Sequence, residues 1–271
     1  MKYASIFLII MFIAAGCMKS TEKVSSVTSS IVTKEVTYSS DGTTLKGYLA
    51  YDSSKAGRRP GIIIVHEWWG LNQYAKTRAE MLAKLGYTAL AIDMYGNGAM
   101  ITHPDDAGKF ASEVMSSMDT ASARFNAGLK FLKSQPETDT SKIAAIGYCF
   151  GGGVALRMAL GGTNLTGVVS FHGDLPTAAV KDPQAVKAKF LVCNGAADPL
   201  NPPEKVKAFE DAIKTAKLKY TLINYPGAKH SFTVPGSDSL GQKYNMPLSY
   251  NKAADEASWQ EMQDFFSGIF K

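Results

Sequence analysis

No stripe of lysine and arginine runs through this sequence. The formal charge is +5, but basic residues are interleaved with acidic ones, so the concentrated positive field that draws nucleic acid is absent and nucleic acid is not expected as a partner. The four histidines show no HxxxH or HxH spacing, and neighbours on a strand point to opposite faces, so His66, Glu67 and His172 do not read as a metal site. No metal and no cofactor is called for. No internal repeat is visible, and no linker divides the chain after Ile31. Cysteine is scarce, with three residues in the whole chain.

What is present begins with size. A chain of 271 residues that is 45% hydrophobic suffices for one large core and falls short of two comfortable ones. Its first residues read as an export signal: Lys2 supplies a positive charge, and Ile6 to Ala15 form an apolar run too short to span a bilayer as a mature helix. The run ends in Ile13-Ala14-Ala15-Gly16-Cys17, which resembles the lipobox of bacterial lipoproteins. That resemblance implies removal of residues 1–17 up to a diacylated Cys17, hence an exported protein anchored in the cell envelope by its lipid. Plain secretion, with Cys17 inside a discarded peptide, is the alternative. Residues 18–30 are rich in Ser and Thr and have no hydrophobic period, as in a flexible tether. Residues 31–271 read as one domain.

Within that domain, strand candidates Ile31 to Tyr38 and Thr44 to Tyr51 flank the turn signal Asp41-Gly42, the pattern of an antiparallel hairpin. Apolar runs then alternate with helix-period segments. The runs are Gly61 to Val65, Thr88 to Ile92, Lys142 to Ile146, Gly167 to Phe171, Lys189 to Cys193 and Tyr220 to Asn224. Helices are predicted over Gln73 to Leu85, Thr120 to Ser134, Phe150 to Leu160, Pro203 to Ala216 and Ala253 to Phe270. This alternation specifies an α/β fold with a mostly parallel central sheet and helices on both faces. In such sheets ligands sit beyond the carboxyl ends of the strands, which singles out His66, Glu67, Asp93, Cys149, His172, Asp198 and His230.

An exported protein with two remaining cysteines first suggests a disulfide. However, Cys149 and Cys193 each end a predicted strand with Gly167 to Phe171 between them. Residues two strands apart are separated by about 10 Å, beyond the roughly 7 Å limit for a disulfide. Both read as free thiols.

The sharpest motif is Gly147-Tyr148-Cys149-Phe150-Gly151, set between a strand and a helix in the form of a nucleophile elbow with Cys in place of Ser. The tight turn requires small neighbours, and the opening of the following helix favours a thiolate. Asp198 follows the next strand but one, and His230 the strand after that. The order nucleophile, acid, histidine is the one the α/β-hydrolase fold uses. His230 would take the thiol proton, or form the imidazolium of an ion pair with the thiolate, and Asp198 would set its tautomer. The blander readings are a structural buried Cys149, a helix-capping Asp198 and a surface His230.

Together, the elbow, His66-Glu67-Trp68-Trp69-Gly70, Asp93-Met94-Tyr95 and Gly227-Ala228-Lys229-His230-Ser231-Phe232 resemble the dienelactone hydrolase family, the carboxymethylenebutenolidases. The resemblance runs from about Ile31 to the C-terminus. It implies that Glu67 contacts the resting thiol and assists its deprotonation, and that the N–H groups of Trp68 and Phe150 form an oxyanion hole. It also exposes a departure. Val234 and the Pro104 to Met118 segment carry no arginine where the family holds a substrate carboxylate. Lys109 is the cation available there, but an ammonium lacks the bidentate fork of a guanidinium.

The expected function is cleavage of a small-molecule ester or lactone through a cysteine acyl-enzyme, in a pocket for which Trp69, Tyr95, His172 and Lys109 are candidate wall residues. The rival is a non-catalytic envelope protein that binds a ligand or senses redox state through Cys149.

Overall fold

The computed structural model describes Met1 and residues 30–271. The expected leader, Cys17 and the tether up to residue 29 lie outside the described residues. An eight-stranded sheet organises the rest, built from β1 (Ile31–Ser40), β2 (Thr43–Asp52), β3 (Arg59–Val65), β4 (Thr88–Ile92), β5 (Thr138–Tyr148), β6 (Gly167–Phe171), β7 (Lys189–Gly195) and β8 (Tyr220–Tyr225). Their spatial order is β1-β2-β4-β3-β5-β6-β7-β8. The β1–β2 hairpin and the β2–β4 pair are antiparallel, and every other pairing is parallel. The chain therefore has the α/β-hydrolase architecture.

Alternation along the central strands divides the core in two. On β3, Ile63 and Val65 face one layer while Ile62 and Ile64 face the other, and β4 and β5 split in the same way. The first layer is closed by α3 (Met118–Lys133), α4 (Phe150–Leu160) and α5 (Pro203–Thr215). The second is closed by α1 (Gln73–Lys84) and α7 (Lys252–Ile269). Because side chains alternate at period two, central strands covered on both faces are apolar at nearly every position, and a polar exception such as Thr88 on β4 is hydrogen-bonded, here to the Glu137 carbonyl. β4 is buried at all five of its positions.

Two helices escaped the sequence reading: α2 (Pro104–Ser116) and α6 (Ser237–Tyr244). α6 buries only Ser237 and Gly241, too sparse a stripe for apolar periodicity to register, whereas on α2 Ala107, Phe110, Ala111, Val114 and Met115 recur at helical spacing and face the core, so its period was there to be read. The end signals of α2 were present. Pro104 opens it, and the Nδ1 of His103 accepts the N–H of Asp105 at 3.3 Å. No helix among the described residues is long and apolar enough to cross a membrane.

Candidate active site

Cys149 is the single residue between β5 and α4, and it takes φ 54°, ψ −119°. A non-glycine residue seldom occupies such a conformation. Here the surroundings enforce it. A Cβ on Gly147 would lie 2.1 Å from the Gly151 carbonyl oxygen, and one on Gly151 would lie 2.3 Å from that of Val65. A larger residue at Gly147 would push the strand from the start of α4, and one at Gly151 would push the helix from the end of β3. The Cys149 N–H donates to the carbonyl of Phe171 at 3.1 Å, tying the elbow to the end of β6.

The loops after β7 and β8 bring the other two groups to this thiol. His230 Nε2 lies 3.0 Å from Cys149 Sγ, and His230 Nδ1 lies 2.8 Å from Asp198 Oδ2. Since the carboxylate can only accept, Nδ1 carries the proton and Nε2 faces the sulfur. The other oxygen of Asp198 accepts the N–H of Leu200 at 2.8 Å, so both ends of the carboxylate are fixed. Burial opposes a charged imidazole at His230. The neighbouring Cys149 sulfur and the Asp198 carboxylate outweigh it and hold the His230 pKa well above the usual histidine range.

Beneath His230 lies a buried polar layer that the sequence did not announce. Thr233 Oγ1 stands 2.8 Å from His172 Nε2 and 2.6 Å from the Tyr74 hydroxyl. The Thr233 carbonyl accepts from Arg78 at 2.9 Å, and Arg78 pairs with Asp255 at 2.5 Å. The Arg78 guanidinium lies within 6 Å of the rings of Tyr74, Tyr148 and Trp259, a cationic plug between the nucleophile strand and the histidine loop. His172 sits edge-on to His230 with ring centroids 5.3 Å apart. Burial first, then the charges of His230 and Arg78, depress its pKa well below the ordinary value.

Glu67 is buried, and its Oε1 accepts from Ser231 Oγ at 2.9 Å. The family resemblance implied contact with the thiol. Here the sulfur is hydrogen-bonded to His230 instead, and the carboxyl to the residue beside that histidine. Burial raises the Glu67 pKa. Ser231 was missed because an isolated serine after a histidine carries no signal of its own.

The cavity over the thiol, about 280 Å³, is lined by Trp68, Ala111, Phe150, Asp174, Leu200, Asn201 and Lys205 together with Cys149 and His230. None of the four candidate wall residues lines it. Trp69 is buried against Trp68, with ring centroids 4.9 Å apart. Tyr95 is buried and donates its hydroxyl to the Trp68 carbonyl at 2.8 Å. His172 lies behind His230. Lys109 points outward from α2 and pairs with Asp106 at 3.0 Å. Trp69, Tyr95 and His172 follow strand ends, where a residue can face inward or outward and the packing of neighbouring elements decides which, while Lys109 lies on a helix the sequence reading did not place.

Asp93, also at a strand end, organises a turn rather than the cavity. Its carboxylate accepts the N–H groups of Lys46, Tyr95, Gly96 and Gly98. Cys193 is fully buried on β7, opposite Phe171 of β6, and burial pushes its thiol up to about 12. Both described cysteines are free. Among the described residues no cluster of three or more His, Cys, Asp or Glu side chains is arranged to hold a metal ion.

Residues 45–270 match the sequence model of the dienelactone hydrolase family. A solved structure from metagenomic libraries, of a dienelactone hydrolase-like promiscuous phosphotriesterase, is 36% identical. It superposes with a TM-score of 0.84 over 89% of this chain and 99% of that one. The protein usf of Aquifex pyrophilus is 29% identical over 202 residues, covering 73% of this chain and 85% of its own. A Saccharolobus solfataricus protein provisionally named a carboxymethylenebutenolidase is 26% identical over 274 residues, covering 88% of this chain and 99% of its own.

Proposed function

This chain belongs to the dienelactone hydrolase family and is a hydrolase of that family, and on that premise we propose that it cleaves small esters or lactones through an acyl-thioester on Cys149. One observation carries the reading: His230 spans the 3.0 Å to Cys149 Sγ with one nitrogen and the 2.8 Å to Asp198 with the other. A redox-sensing thiol has no need of an oriented base.

His230 Nε2 holds the thiol proton, as its raised pKa favours, and the thiolate so formed attacks the carbonyl carbon. Negative charge develops on the carbonyl oxygen, for which Trp68 and Phe150 supply donors. The Trp68 N–H has no acceptor among the described residues, and Phe150 opens α4, where the first N–H groups have no partner within the helix. Collapse of the adduct breaks the C–O bond, and the His230 imidazolium protonates the departing alkoxide. In a lactone that alkoxide stays tethered to the acyl group. Water then loses a proton to His230, attacks the thioester and releases the acid, and the thiolate leaves as the proton returns. Glu67 and Ser231 flank His230 and brace its loop.

The 36% identical phosphotriesterase favours a second reading, in which neutral phosphate triesters also react. We further propose, from residues 1–17, export and anchoring through Cys17.

Rapid-quench mass spectrometry with p-nitrophenyl acetate tests the principal reading. An acetylated Cys149 peptide formed during a burst of nitrophenol is the expected result, and full turnover by Cys149→Ala would exclude the mechanism.

A further inference from the structure

The cavity over Cys149 has a chemical character that narrows the substrate, given the hydrolase reading above. Its apolar walls are Trp68, Ala111, Phe150 and Leu200. Leu200 is the unusual one. It is among the few large hydrophobic side chains that stay exposed, at 51%, and it stands beside the reacting sulfur. Its backbone is fixed on both sides: its N–H donates to Asp198, and its carbonyl accepts from Lys205 Nζ at 3.0 Å. The loop that orients the acid of the triad therefore also holds an isobutyl group open to the cavity.

The charged residues of the same cavity are already committed. Asp174 pairs with Lys205 and with Arg157, each at 2.5 Å, and Arg157 also donates to the Gly153 carbonyl at 3.1 Å. An anionic substrate would meet the Asp174 carboxylate and find no unpaired cation among the described lining residues. Lys109, the one cation that could have served from α2, faces away. An unpaired charge entering this space loses hydration with no compensating bond. Size adds a second limit. At about 280 Å³ the cavity falls just below the roughly 300–1,000 Å³ of pockets for drug-sized ligands, while a cavity of about 150 Å³ suffices for benzene.

We infer that this pocket selects a small, uncharged, apolar acyl group, with Leu200 as the specificity-determining side chain. The acyl group is the part that stays on Cys149 while water attacks, so it is the part that occupies the space around the sulfur.

The test compares p-nitrophenyl acetate, butyrate and hemisuccinate on the full protein and on Leu200→Ala. Two methylenes buried at about 0.8 kcal/mol each correspond to roughly a tenfold gain in kcat/KM from acetate to butyrate. The hemisuccinate, similar in length but charged, should fall at least tenfold below butyrate. Leu200→Ala, which keeps the backbone contacts to Asp198 and Lys205, should reduce the butyrate preference several-fold. A hemisuccinate turned over as well as butyrate, or a butyrate preference unchanged in Leu200→Ala, overturns the inference. Protection of Cys149 from iodoacetamide by butyramide, compared with succinamate, separates the two levels of the argument. Better protection by butyramide without turnover of any ester supports the pocket assignment and removes the hydrolase reading. Equal or better protection by succinamate removes the pocket assignment whether or not esters are cleaved.

Discussion

His66 Nδ1 donates to the carbonyl oxygen of Glu67 at 2.5 Å, while its Nε2 accepts the N–H of Met94 at 3.2 Å. The same Glu67 carbonyl takes the N–H of Gly70 at 3.2 Å. A trans peptide sets its N–H opposite its carbonyl, so His66 orients the Trp68 N–H that is proposed to receive the oxyanion. His66→Phe should therefore lower kcat for a p-nitrophenyl ester by about tenfold to a hundredfold, less than outright loss of a donor, and should leave KM nearly unchanged. Steady-state kinetics with circular dichroism checks this. A rise in KM at constant kcat would show that His66 serves the cavity rather than the oxyanion.

His230→Ala should reduce kcat/KM by about a hundredfold or more. Asp198→Asn should act mainly on kcat by allowing the wrong tautomer. The double variant should lose much less than the product of the two, since the groups act as a unit. Multiplicative losses would mean that Asp198 does not work through His230.

The buried histidines predict a dependence of stability on pH. His66 and His172 are depressed by burial, so they stay neutral in the folded protein below pH 6.5, where the unfolded chain binds protons. His230 is raised and is protonated in both states there, adding no slope. Stability should thus fall as pH drops below about 6.5, each buried histidine contributing up to about 1.4 kcal/mol per pH unit. His172→Gln should flatten the slope by close to one proton. Urea midpoints between pH 6.5 and 5.5 provide the comparison, and an unchanged slope would rule out a neutral buried His172.

The Arg78–Asp255 pair joins α1 to α7 with both side chains largely buried. Asp255→Ala leaves the guanidinium uncompensated and should cost about 3–5 kcal/mol in urea unfolding. Arg78→Met combined with Asp255→Ala should cost less than Asp255→Ala alone. The reverse order would mean that the pair stabilises the fold outright.

Cys17, if acylated, becomes the first residue of the mature chain with two acyl groups, enough for stable anchoring where one chain gives marginal binding. Mass spectrometry of the native protein would read this directly. A mature chain beginning elsewhere and free in solution would discard the anchor and leave the enzyme reading intact.

Much of this protein was legible in one dimension. Six strands came from apolar runs, because a strand covered on both faces is apolar nearly throughout, and β1 and β2 came from the hairpin pattern around Asp41-Gly42. The Cys149 elbow came from glycines that admit no Cβ, and Asp198 and His230 came from their positions just past strand ends in the order the fold requires. The direction of each side chain was a different matter. Whether Lys109 faces Asp106 or the thiol, whether His172 lines the cavity or lies behind His230, and whether Leu200 stands open beside the sulfur all depend on how α1, α2, α5 and α7 seat against the sheet. Period and spacing are local properties of the chain, while burial and the choice of hydrogen-bond partner depend on residues distant in sequence, as Arg78 is from Thr233 and Asp255, 155 and 177 positions on, that meet only when the layers close.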